Sequence, residues 1–238
     1  MSVSVALAAK DGARYLHSQV ASILPQLDEA RGDELIISTD PSSDATSEIV
    51  AELARETHLI RQLAGPGRGV QANFEQAIRA CRGSHLFLSD QDDVWMPDKL
   101  AEVMHAFETS EAFLILHDAV VVDEDLHELA PSYFESRGSR PGVWSSILRN
   151  SYVGCCMAFK RELLAYALPF PPDIPMHDQW LGLVASRFTT VRLLPVQLVQ
   201  YRRHRSTATS DTHAGLWQMT LWRYAVIRAL RKRERELI

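Results

Sequence analysis

Disulfide bonds, a zinc site and a membrane span are all hard to build from this sequence. It has only three cysteines, Cys81, Cys155 and Cys156. An odd number with an adjacent pair makes a poor disulfide framework, and no CxxC spacing offers zinc a pair of thiolates. Such usage fits a reducing, cytoplasmic compartment. No apolar run reaches membrane-spanning length, and the opening "MSVSVALAAK" lacks the basic start and long apolar stretch of a signal peptide. Nor is there an excess of positive charge. The formal net charge is −5, so any surface for a polyanion has to be local. No internal repeat or low-complexity segment occurs. What remains is ordinary globular composition over 238 residues, enough for one sizeable core.

In its first half the chain alternates β-rich runs with helical spacing. Val3–Ala9 reads as a buried strand, after which Leu16, Val20, Ile23 and Leu27 fall at helical intervals. Glu34–Thr39 is a second strand, followed by a turn and a helix with Ile49, Val50 and Leu53 on its apolar side. His58–Leu63 reads as a weaker strand, "GPGRG" as a loop, Val70–Ala80 as a helix and His85–Ser89 as another strand. This alternation predicts an α/β fold with a parallel sheet covered on both faces. Ligands of such sheets bind at the carboxyl ends of the strands, so the residues after Ala9, Thr39 and Ser89 should share one crevice. The second half is less regular. "FLILHDAVVVD" reads as a strand, Pro131–Gly142 as a polar loop, and "SYVGCCMAFKRELLAYAL" as a small-residue strand leading into a short helix. "MHDQWLGLVASRF" looks helical, "LLPVQLVQYRRH" ends in a basic turn, and Ala214–Ile238 reads as a terminal helix.

The segment "FLSDQDDVW" places Asp90, Asp92 and Asp93 at the edge of a core. Carboxylates crowded there raise one another's pKa unless a cation neutralises them, and a hard divalent ion with oxygen ligands, Mg²⁺ or Mn²⁺, is the natural partner. The plainer alternative is a solvated loop that starts the next helix. A Gly-rich, lysine-containing phosphate loop after the first strand is missing, which argues against nucleotidyl transfer. Phosphotransfer through a DxD nucleophile usually places its aspartates after strand one, where only Asp11 stands.

In context, "FLSDQDDVWMPDKL" resembles the DxD segment of family 2 glycosyltransferases with a GT-A fold, and "SDQDD-W" is similar to a bacterial rhamnosyltransferase-like branch. "ALAAKDGARYLHSQVASIL", "IISTDPSSDAT", "GVQANFEQAIRACRGSHLFLSDQDD", "GCCMAFKRELL", "HDQW" and "YRRH" follow in the family's order, so the resemblance covers most of Val3–His204. It implies a GT-A (nucleotide-diphospho-sugar transferase) fold over residues 1–210, with a mostly parallel central sheet flanked by helices. The nucleotide-binding half would be about 1–95 and the acceptor half about 96–210, with an amphipathic helix at 211–238.

The implied activity is metal-dependent, inverting glycosyl transfer from a nucleotide-sugar, with dTDP-rhamnose as the donor the branch suggests. The acceptor would be a cell-surface or lipid-linked glycan at the inner face of the cytoplasmic membrane. A degenerate GT-A fold serving as a nucleotide-binding or assembly module is the alternative. By resemblance Asp92 binds the metal, and Asp90 meets the ribose or the metal's water shell. Gln91, Asn73, Ala9, Asp11, Thr39 and Asp40 face the donor, while Asp44 caps its helix. Where the family usually has two aspartates this chain has Thr39–Asp40, and where it usually has threonine and asparagine it has Ala9 and Asp11. Arg202 and His204 would donate to the diphosphate, or else form an exposed basic turn.

Asp178 holds the place of the carboxylate that takes the acceptor's proton, unless it only caps its helix. His177 would orient Asp178 or line the acceptor site. Gly154 and Cys155 would underlie the sugar pocket, with the cysteines serving in packing rather than chemistry. Asp118 would lie near the donor sugar, or else simply end a strand. In the last helix Leu216, Trp217, Leu221, Trp222, Tyr224, Ile227 and Leu230 run among arginines. Such a pattern suits either a membrane interface or packing on the catalytic domain.

Overall fold

The computed structural model describes residues 1–138, 143, 150, 152–204 and 216–237, with the side chains of 137 and 216–218 outside that description. Ser151, Ala214, Gly215, Ile238, the side chains of Leu216 and Trp217, and positions 139–142 of the expected polar loop therefore lie outside the described residues.

Four parallel strands form the first half of the sheet, in the order β3 (Ile60–Ala64), β2 (Glu34–Thr39), β1 (Val3–Ala9) and β4 (His85–Ser89). β1 and β2 are near-continuous apolar runs because both their faces are covered. α1 (Leu16–Ile23) buries Leu16, Val20 and Ile23 at intervals of four and three, α2 (Thr46–Glu56) buries Val50 and Leu53, and α3 (Val70–Ala80) buries Phe74, Ala77 and Ile78. Burying each large aliphatic side chain contributes about 1.5–3 kcal/mol. The third strand starts two residues later than expected. The Thr57 Oγ1 accepts from the Leu59 N–H at 3.2 Å, holding that end as a turn.

Beyond β4 the sheet turns mixed. After β5 (Val94–Trp95), α4 (Lys99–Glu108), β6 (Leu114–Val122) and β7 (Glu128–Ala130), the strand β8 (Met157–Lys160) inserts antiparallel between β4 and β6. α5 (Tyr133–Arg137) forms inside the segment expected to be a loop, because Ser132 Oγ accepts from Glu135 N at 3.0 Å as a helix cap. α6 (Leu164–Ala167) and α7 (His177–Phe188) follow, the latter covering its expected span. The apparent basic turn is the end of a twelve-residue strand, β9 (Val191–Arg202). This strand runs parallel to β6 and antiparallel to β5. Its register jumps two residues between Leu194 and Gln197, where Pro195 has no N–H for the ladder. α8 (Leu216–Glu236) closes the described chain and packs Val226 and Leu230 on the domain. No helix among the described residues is long and apolar enough to cross a membrane.

Candidate active site

Parallel register brings the ends of β1, β2 and β4 to one edge, with Ala9 beside Thr39 and Leu7 beside Ser89. A cavity of about 410 Å³ opens there. The first-strand loop (Ala8, Ala9, Lys10, Asp11, Tyr15), Asp40, Val70, Asn73 and Phe74 line one part. Asp90, Gln91, Asp92, Val153, Gly154, Met176, His177, Asp178, Tyr201, Arg202 and His204 line the rest. The crevice expected from strand alternation is thus present, and it unites most of the expected residues.

At the nucleotide end, buried Asp40 donates its N–H to Ala9 O at 2.9 Å and accepts from Gly67 N at 2.8 Å. Gly65 fits beside it because any Cβ would come within 2.5 Å of the Asp40 carboxylate. Asp11, at φ 49°, accepts from Ser43 N and Oγ at 2.6 and 2.9 Å, tying the first-strand loop to the turn after β2. Asp44 holds the start of α2 through Thr46 N and also accepts from Ala13 N. Gln91 forms a two-point clamp: its Oε1 accepts from Lys10 N and its Nε2 donates to Lys10 O, each at 2.8 Å. Asn73 donates to Ala9 O at 3.3 Å, and its buried Oδ1 has no partner among the described residues. Thr39, the last residue of β2, is buried and does not line the cavity.

The acidic cluster divides by partner. Asp92 faces the cavity and accepts from His204 Nε2 at 2.7 Å. Asp93 points inward, is fully buried, and accepts from the Arg202 N–H at 2.9 Å. Burial and the Asp92 charge push Asp93 up to about 7. Loss of solvent, then Asp93, Asp92 and Asp178, push Asp90 well above the ordinary carboxylate range. Lys99 supplies a buried cation behind them: its Nζ donates to Cys155 O at 2.7 Å and lies 4.1 Å from the Trp95 ring centre. Burial lowers Lys99 to about 8.

A divalent metal has two places to consider. Asp90, Asp93 and Cys155 offer ligand atoms within 4.8 Å of one another. Asp93 and Cys155 do not reach the cavity, however, and the Arg202 N–H already takes one Asp93 oxygen. Asp92 and His204 reach the cavity wall, where the Asp92 carboxylate would serve Mn²⁺ or Mg²⁺ alongside further oxygen ligands, and His204 either holds that carboxylate through its Nε2–H or, on giving up this proton, would add a nitrogen ligand. Arg202 was expected at the diphosphate. It is instead buried, donating its Nε to Asp92 O at 2.6 Å and a terminal nitrogen to Glu124 O, with its guanidinium 4.7 Å from the Tyr15 ring centre. It braces the wall that carries Asp92.

Asp178 stands in the first turn of α7, 6% exposed. Burial raises its pKa to about 6, against hydrogen bonds from the backbone of Gln179 and Gly154 and the side chain of Asn150. His177 stacks on Phe74 with ring centres 4.0 Å apart. Both its ring nitrogens are buried and unpartnered among the described residues, and burial lowers it to about 3, so it is neutral. It does not hydrogen-bond Asp178 in this arrangement. Gly154 lines the cavity, with His177 Nε2 3.4 Å from where a Cβ would stand.

Two expected sugar-pocket residues, Asp118 and Cys155, do not themselves line the cavity. Asp118 is buried outside the cavity, and its carboxylate accepts from Ala119 N, Phe134 N, Ser132 Oγ and Gln197 Nε2 at 2.6–3.1 Å. With its lone pairs so committed, it anchors α5 to β6. Cys155 lies one residue deeper than Gly154, packed against the acidic cluster, in keeping with the packing role. Tyr15 and Lys99 were not foreseen. Tyr15 sits at a helix start with no apolar pattern to mark it, and a lysine reads as surface until its surroundings are known.

The model of Glycosyl transferase family 2 matches residues 4–166. The chain is 25% identical over 179 residues to an uncharacterized glycosyltransferase of Nostoc sp., covering 72% of this chain and 55% of that one. It is 26% identical over 111 residues to the Escherichia coli UDP-Glc:alpha-D-GlcNAc-diphosphoundecaprenol beta-1,3-glucosyltransferase WfaP, covering 47% and 43%. The chain spans about half the length of the curated relatives it matches. Among solved structures, Staphylococcus aureus TarS 1–349 with UDP-GlcNAc superposes with a TM-score of 0.71 at 17% identity, over 98% of this chain and 66% of that one. The mannosyltransferase PcManGT from Pyrobaculum calidifontis, with GDP-Man and Mn²⁺, gives 0.66 at 19% identity, over 96% and 64%. At such identities these likenesses speak for a shared fold.

Proposed function

The chain belongs to glycosyl transferase family 2 and has a GT-A-type fold, and on that premise we propose that it transfers a sugar from a nucleoside-diphosphate donor to a hydroxyl acceptor with inversion. The observation that carries this reading is one cavity with two chemically distinct ends: the Asp92–His204 pair on one wall and the buried carboxylate of Asp178 on another.

Asp178 is the general base. A sugar hydroxyl is too weak an acid to lose its proton before attack, so a carboxylate must receive it as the bond forms. Burial that lifts Asp178 to about 6 raises its basicity while leaving it ionised at neutral pH. Asp40, Asp11 and the Gln91-clamped loop form the nucleotide's cradle, and Asn73 offers its unpaired Oδ1 there. Asp92, steadied by His204, would hold the divalent metal, which would supply charge to offset the departing diphosphate. Asp90 neighbours that site, its carboxyl held well above the ordinary range by burial and by the charges of Asp93, Asp92 and Asp178. His177 and Phe74 wall the sugar side with an uncharged, stacked surface.

For the donor, the sequence resemblance favours rhamnose from dTDP-rhamnose. For the acceptor we favour a lipid-linked glycan at the inner face of the cytoplasmic membrane, in keeping with the diphosphoundecaprenol substrate in the name of the E. coli relative. Calorimetric titration with UDP, dTDP and GDP, with and without Mn²⁺, tests the reading. Metal-enhanced binding of at least one of them is expected. Binding of none would contradict it.

A further inference from the structure

We infer that the solvent face of α8 is a docking surface for an anionic lipid bilayer. The inference deepens the reading of a lipid-carried acceptor and takes its biological sense from it.

α8 rests on the domain through one buried side, with the exposed pairs Arg187–Glu234 and Arg228–Asp173 as further ties to it. Val226 and Leu230 are buried, and Arg233 donates to the carbonyls of Tyr166, Leu168 and Pro169 at 2.6–2.8 Å. These contacts set the helix rotation, so the opposite face is fixed as well. That face repeats at three- and four-residue intervals through Leu221, Tyr224, Arg228, Arg231, Lys232 and Arg235. A groove of about 380 Å³ runs along it.

Its chemistry is unlike that of the chain as a whole. That face carries four basic side chains, Arg228, Arg231, Lys232 and Arg235, and no acidic one, in a protein whose formal charge is −5. Among the described residues no carboxylate lies within 4 Å of Arg231 or Arg235. Arg228 and Lys232 make only exposed pairs, with Asp173 and Glu236, of the kind that contributes little. Between the cations Tyr224 is 66% exposed and Leu221 44%. A purely polyanionic partner has no use for these apolar groups. A bilayer interface takes both, since headgroup phosphates attract the cations while the ring and leucine enter the acyl boundary. Asp173, the partner of Arg228, lies only three residues before Met176 of the cavity wall, so a short stretch of chain links this surface to the cavity.

The test is flotation of the full chain with phosphatidylglycerol and phosphatidylcholine vesicles, with UDP binding measured on the same preparations. The wild type is expected to float with phosphatidylglycerol, weakly with phosphatidylcholine, and less as salt rises. The double variant Arg231→Glu/Arg235→Glu touches no buried contact and should lower partitioning roughly tenfold or more, while UDP binding stays unchanged. Tyr224→Ala should weaken binding to both lipids. Absence of wild-type flotation, or flotation undiminished in the double variant, overturns the docking surface. So does self-association that the double variant abolishes in the absence of vesicles. Vesicle binding without binding of any nucleoside diphosphate would support the docking surface and count against the transferase reading instead.

Discussion

The His204 Nε2 donates to the Asp92 Oδ2 across 2.7 Å, joining the segment after β9 to the loop after β4 at the cavity wall. Residues more than a hundred positions apart thus present one nitrogen and one oxygen to the same small volume. Asp92→Ala and His204→Ala should each weaken Mn²⁺-dependent UDP binding by roughly tenfold or more, about 1.4 kcal/mol. Metal-free nucleotide binding should change much less. Calorimetry with and without Mn²⁺ reads both quantities, and equal losses in the two conditions would remove the metal from the assignment.

Asp178 gives a pH signature with a definite sign. Its carboxyl is raised by burial to about 6 from the ordinary value of 3.8. As a general base it must be ionised, so turnover should fall as pH drops through about 6. For stability, the unfolded chain releases this proton first, so between about pH 3.8 and 6 the group makes stability fall as pH rises. The penalty is fully present above about pH 6. Asp178→Asn should accordingly be more stable than the wild type at pH 7, by on the order of 1–2 kcal/mol, and lose that advantage near pH 4. Thermal melts at the two pH values check this.

The Gln91 clamp predicts a defect in donor binding rather than in chemistry. Gln91→Ala removes two hydrogen bonds to Lys10, worth about 1–2 kcal/mol together, and frees the loop that carries Ala9 and Asp11. Donor KM should rise about tenfold with little change in kcat. Gly12→Ala should do the same from the other side, because its Cβ would fall 2.2 Å from Gln91 Oε1. A fall in kcat at constant KM would show that the clamp acts on the reacting groups instead.

Lys99 is the buried countercharge of the acidic cluster. Lys99→Ala leaves Cys155 O without its donor and the buried carboxylates without their cation, at a cost of about 3–5 kcal/mol. Lys99→Met keeps the packing on Trp95 and should recover part of the loss. Urea unfolding at neutral pH compares the two, and a neutral Lys99→Ala would show that Asp90 and Asp93 are protonated at rest.

The parts of this architecture that could be read from the chain are those set by local pattern. Glu34–Thr39 forms its strand within the expected bounds because the run Leu35, Ile36, Ile37 suits a strand covered on both faces. Asp90 and Asp92 open on the cavity because β4 ends at that edge of the sheet, whereas Asp178, in the first turn of α7, was placed only by the resemblance of "HDQW". What escaped depends on neighbours distant in sequence. β9 is interrupted by Pro195 and a register jump, so its length shows only against β6. The Ser132–Glu135 cap was visible as a pattern but lay in a segment dominated by Gly, Ser and Arg. Asp118 looked like a site residue until four donors, one of them 79 residues away, were found on its carboxylate. Arg202 read as a diphosphate contact or an exposed basic turn because nothing in "YRRH" reveals that the Asp92 and Glu124 carbonyls would supply its acceptors.

The measurement that separates catalysis from binding is product formation by Asp178→Asn with its preferred nucleotide-sugar, set beside nucleotide affinity on the same preparation. The variant keeps side-chain volume and the N-terminal position on α7. Turnover is expected to fall by about 10²–10⁴, with UDP or dTDP affinity within roughly twofold of the wild type. Turnover preserved in Asp178→Asn would contradict the assignment of this carboxylate as the base.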